Sequence, residues 1–144
     1  MSYRAWSKVG FSVAVVALLV SATWAQKAHN TGPKYDSTKE VTIKGMVDEV
    51  REVPGEYEGL HLMVKTESKT VLVHVAPSGF LKEIDTSFSK GDQVVVVGAP
   101  SPDTSSGDEI LAREITVGQN TTMLRDDKGV PVWAGWKPAK SSGK

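Results

Sequence analysis

Two histidines, His61 and His74, stand in a stretch of strict two-residue alternation, LHLMVKTESKTVLVHV at residues 60–75. If Leu60, Leu62 and Val64 point into a core, His61, Met63 and Lys65 point out of it. On the next strand the outward set is Thr70, Leu72 and His74. Residues directly opposite in an antiparallel pair share a face. A two-residue turn at Glu67-Ser68 pairs positions whose numbers sum to 135, which sets His61 against His74, Met63 against Leu72 and Lys65 against Thr70. A turn longer by two residues would set Met63 against His74 instead. Imidazole is a common metal ligand, yet a stable zinc site takes three or four ligands. The third histidine, His29, lies in a polar lead-in, and Asp48, Glu49, Glu56 and Glu58 lack ligand-type spacing. The expectation is therefore no resident metal and no cofactor. A His-based metal or redox accessory role is kept as an alternative.

The elements that would position this face follow from the rest of the chain. The segment VTIKGMVDEVREV at 41–53 alternates through Val41, Ile43 and Val47, then slips phase at Val50 and Val53. With Gly45, that slip predicts a long strand with a bulge or bend. A loop at 54–59 precedes the hairpin. Within 76–88, Phe80, Ile84 and Phe88 recur at intervals of four behind Pro77, which predicts one short amphipathic helix. Four consecutive valines, Val94–Val97, predict a strand buried on both faces or closed into a barrel. Residues 100–108 form a polar loop, and 109–117 the last strand.

The order β-β-β-α-β-β, with a long bent first strand, gives an all-β fold class with one short helix. It is the order of the OB-fold, a five-stranded Greek-key barrel. The resemblance covers residues 41–117. The chain also resembles a group of small exported bacterial OB-fold proteins, through the strand GDQVVVVG at 91–98 and the ending LRDDKGVPVWAG at 124–135. OB-folds commonly bind ligands on the outer face of strands two and three, rimmed by the loops after strands one and four. That implies a ligand- or partner-binding face at Tyr57, His61, Met63, Lys65, Leu72 and His74. Met63 and Leu72 are apolar where solvent is expected, so a partner or the chain's own tail should cover them. Trp133 and Trp136 are the tail residues that would dock.

Residues 1–25 read as an export signal. Arg4 and Lys8 form a positive start, VGFSVAVVALLV an apolar run, and Thr23 and Ala25 the small residues before a cut after Ala25. The apolar run falls short of the roughly 20 residues a membrane span needs. The domain plan is thus a signal at 1–25, a flexible lead-in at 26–40, the barrel at 41–117, an extension packing on it at 118–136, and a disordered tail at 137–144. The expected location is the periplasm or outside the cell, with no stable span after cleavage.

Composition narrows the function classes. The 144 residues are 40% hydrophobic and 24% charged, with no cysteine. That suits one globular domain and excludes disulfides, thiolate metal sites and c-type haem attachment. Taking Arg4 and Lys8 from the 17 basic residues, against 17 acidic ones, leaves a net charge of about −2. Such a chain is a poor match for the nucleic-acid backbone, and Lys65 is the face's one firm positive charge. Single-stranded nucleic-acid binding therefore stands as an alternative that charge disfavours. No serine sits in a strained nucleophile elbow, so no catalytic residue is expected and the protein reads as no enzyme. The leading expectation is non-catalytic binding of an envelope protein or an oligosaccharide.

Overall fold

The computed structural model describes residues 34–54, 59–102, 104 and 107–138. The signal segment 1–25, His29, Tyr57 and residues 139–144 lie outside the described residues. The elements are β1 (Val41–Val53), β2 (Gly59–Lys65), β3 (Thr70–His74), α1 (Ser78–Glu83), β4 (Gln93–Pro100), β5 (Glu109–Val117) and β6 (Asn120–Met123). A single 3-10 turn, Ser37–Lys39, precedes β1. Among the described residues no helix is long and apolar enough to cross a membrane.

Five strands close a ring. The second half of β1 pairs with β2, and its first half with β4, both antiparallel. β2 pairs with β3, and β4 with β5, also antiparallel. A short parallel seam between β3 and β5 completes the circle. The fold is all-β and barrel-like with one short helix, as the element order led us to expect. β1 can serve two partners because it is long and irregular. A β carbon on Gly45 would stand 2.4 Å from the Lys65 carbonyl oxygen, so only glycine admits the neighbouring strand there. Asp48 is the extra residue of a bulge between Val47, which faces Val64, and Glu49, which faces Met63. The bulge accounts for the phase slip: Val47 is fully buried, and Val50 still packs against the same core.

The core fills the ring with Leu62, Val64, Val71, Val73, Val96 and Ile115. The four valines of β4 alternate: Val94 and Val96 are buried, Val95 and Val97 half-buried. The strand therefore belongs to a closed barrel with one inward face, the second of the two readings.

Two elements differ from the sequence reading. The helix covers only Ser78–Glu83. Asp85 takes a left-handed conformation (φ 53°), the Asp85 N–H donates to the Lys82 carbonyl, and the Thr86 N–H donates back to Leu81. This is a Schellman stop with aspartate in the position glycine usually takes. Phe88 reaches the core from the irregular segment after the helix, and Ile84 is exposed. The second difference is β6, a sixth strand that extends the sheet from the far end of β5.

Candidate functional site

The β2–β3 hairpin turns at Glu67-Ser68, where the Thr66 N–H donates to the Lys69 carbonyl at 2.8 Å. The register follows the 135 sum: His61 faces His74, Met63 faces Leu72 and Lys65 faces Thr70. The Val75 N–H donates to the Leu60 carbonyl. The next pair along, His61–His74, thus falls where the ladder makes no hydrogen bond and side chains come closest. The two imidazole rings lie 4.1 Å apart between centroids, tilted by 57°.

A third residue joins them that the sequence reading missed. The parallel seam sets Leu72 beside Glu109, Val73 beside Ile110 and His74 beside Leu111. The Leu72 N–H donates to the Asp108 carbonyl. This places the Glu109 carboxylate on His74 Nε2. The one sequence signal for Glu109 is its position at the start of the strand that must close the ring.

His61 points away from the core yet is only 7% exposed. Burial, then the neighbouring His74, push its pKa down from 6.5 to about 4, against the opposing pull of Glu109. Its ring is neutral at neutral pH and keeps a free nitrogen lone pair. Leu111 lies beside His74, and Ala99 beside Leu111. Both are fully buried without belonging to the barrel core, so the outer surface carries a dry patch of its own.

Met63 and Leu72 are half-buried and Lys65 is exposed. Arg51, across β1 from His61, is paired to Glu49 at 2.7 Å, which holds the Glu49 carboxyl below the usual range. Lys69 reaches Asp108 at 2.7 Å. Tyr57, the expected rim residue, is outside the described residues, as are Glu56 and Glu58. Among the described residues no three His, Asp or Glu side chains converge as a metal-holding group.

The tail tryptophans gather elsewhere. The Phe80 ring of α1 lies 6.0 Å from Trp133 and 6.1 Å from Trp136. Trp136 Nε1 donates to Glu83 at 2.9 Å, and Trp133 packs against the core. Beside them Arg125 is 8% exposed. Its guanidinium sits 5.5 Å from the centre of the Tyr35 ring and 5.3 Å from that of Trp133. One of its nitrogens donates to the Gly129 carbonyl at 3.1 Å. Tyr35 in turn donates to Glu40 at 2.6 Å, and Arg113 pairs with the same carboxylate at 2.7 Å. The two indoles thus pack at α1, whereas Met63 and Leu72 lie on the hairpin.

Comparison with known proteins narrows this picture. The model of the MamS/MamX magnetosome protein family matches residues 39–122, more than half of the chain. The chain belongs to that family. The match takes in the whole ring, with the GDQVVVVG strand, the His61–His74 pair and Glu109. It stops short of the LRDDKGVPVWAG segment, so it lends that ending no support. No curated protein matches the chain.

Proposed function

We propose that this member of the MamS/MamX family is a non-catalytic binding protein of the magnetosome envelope, exported by its first 25 residues and cut after Ala25. In this reading the barrel is of OB type. It takes its partner on the outer face of β2 and β3, through His61, Met63, Lys65, Leu72 and His74, with Tyr57 at the rim. One observation carries the proposal. The Met63–Leu72 pair stands half-buried on the side of the ladder turned away from the core, next to the His61–His74 pair. Apolar side chains so placed, beside a neutral imidazole and between satisfied ion pairs, suit a partly dry contact with another protein better than a basic groove for nucleic acid. The family supplies the setting in which such a partner is sought.

The test is capture from the magnetosome envelope fraction with the tagged chain, compared with a Met63→Glu, Leu72→Glu variant. The expected result is a partner held by the native chain and lost by a variant that stays folded by circular dichroism. Equal capture by both chains would place the contact elsewhere, with the Trp133/Trp136 region the next to mutate. N-terminal mass analysis of the exported protein should begin at Gln26, and retention of residues 1–25 would refute the cut.

A further inference from the structure

We propose that His61 and His74 form a two-imidazole site for a borderline divalent transition-metal ion, with Glu109 as the carboxylate behind His74. This names one ligand class for the β2–β3 face and rests on the reading of that face as the binding surface.

The geometry is that of a cross-strand ligand pair. The two histidines face each other at a non-hydrogen-bonded position with ring centroids 4.1 Å apart. At that spacing one nitrogen from each ring can reach a common ion at the roughly 2.0–2.1 Å typical of metal–imidazole bonds with small rotations of the rings. Glu109 decides which nitrogen His74 offers. With Nε2–H donated to the carboxylate, Nδ1 keeps the lone pair. A histidine that ligates through one nitrogen and donates the other to a carboxylate is the usual outer-shell arrangement around bound metals, where it fixes the tautomer and raises ligand basicity.

The surroundings agree. Leu111, beside His74 on the same face, is fully buried, which keeps water from one side of the pair. Arg51, opposite His61 on β1, already has a carboxylate partner in Glu49, so its charge is offset where a dication would sit. The donors are nitrogens, which favours copper, nickel or zinc over calcium or magnesium, and copper(II) over the rest by the general affinity order. The sequence reading expected no metal because two histidines are too few for a closed site. The same count here means open coordination positions, filled by water or by a donor from the bound partner, and an ion that exchanges.

The test titrates copper(II), zinc and, as a control, magnesium chlorides into the purified, chelator-treated chain, by calorimetry. Nitrogen coupling in the copper(II) paramagnetic resonance spectrum provides a second readout. The expected result is one copper(II) per chain with two coordinated imidazoles and no magnesium uptake. His61→Ala and His74→Ala should each remove one nitrogen from the spectrum and weaken binding at least tenfold. Glu109→Gln should keep both nitrogens and weaken binding about 10- to 100-fold. Absence of stoichiometric copper(II), or binding unchanged in a folded His61→Gln, His74→Gln chain, overturns the proposal. Met63→Glu, Leu72→Glu separates the two ideas. If it loses the partner while the native chain binds no metal, the face stands and the metal site falls. If copper(II) binds as described and the partner is held equally by that variant, the metal site stands and the partner reading falls.

Discussion

His61 and Arg125 are both nitrogen-bearing side chains that the fold takes out of water, and they make opposite use of it. Arg125 lies between Tyr35, upstream of the barrel, and Trp133, downstream of it, with the Gly129 carbonyl accepting one N–H. Among the described residues no carboxylate pairs with it and its Nε has no hydrogen-bond partner, and burial lowers its pKa. Arginine nonetheless stays charged, and the two ring faces offset part of the desolvation. A guanidinium has no lone pair to offer a metal ion, and here it ties the segment before the barrel to the segment after it. His61 is buried as a neutral ring, and each imidazole of its pair can keep a nitrogen free.

That contrast can be broken from either side. The largest effect is expected at Gly129, whose φ is +81° and where a β carbon would lie 2.4 Å from Tyr35 Cδ1. Gly129→Ala combines a left-handed backbone penalty of about 1–2 kcal/mol with that collision. It should cost about 3–4 kcal/mol in urea unfolding and leave the hairpin face intact. Next comes acid. The folded pKa of His61 is about 4 against an ordinary 6.5, so its unfolded form binds the proton first. Its neutral burial favours the folded state fully above pH 6.5, and the benefit is lost as pH falls from 6.5 towards 4. The loss is up to about 3 kcal/mol. The melting temperature should fall as pH drops across that range for the native chain, and fall less for His61→Gln. Arg125→Ala should cost about 2 kcal/mol through lost ring contacts and stem packing. Arg125→Met, which keeps the stem and drops the charge, should cost less. An equal loss in both would mean that charge, not packing, holds the knot. Smallest is Trp136→Ala, at about 1 kcal/mol for a half-buried ring against Phe80.

What the sequence showed of this molecule was what repeats locally. The hairpin register was legible because strand period and turn length together leave few pairings, and the 60–75 stretch satisfies one of them throughout. The bend in β1 was legible as a phase slip, since a bulged residue must shift every apolar position after it. The helix was read too long because Phe88 keeps helical spacing while the chain has already turned at Asp85. Nothing in an aspartate announces a left-handed stop. β6 was missed because Asn-Thr-Thr-Met shows no alternation and its one apolar residue, Met123, is exposed; the strand is seen only in its pairing with β5. Glu109 was missed for a different reason: it meets His74 through a parallel seam between segments 35 positions apart, which no local pattern encodes. The family match takes in legible and missed parts alike, Glu109 included, and ends before the 124–135 segment on which the resemblance also leaned.

The seam itself has a consequence in time. It consists of three residue pairs, Leu72–Glu109, Val73–Ile110 and His74–Leu111, while β1–β2 and β4–β5 each run to seven. The shortest ladder is where the ring should breathe, since local opening follows the fewest contacts that must part. The Leu72 amide, bonded to the Asp108 carbonyl across the gap, should trade its hydrogen for deuterium sooner than the core amides of β4. Anything that grips His74 from outside also holds that gap shut, so occupancy of the face should be readable as slowed exchange at Leu72.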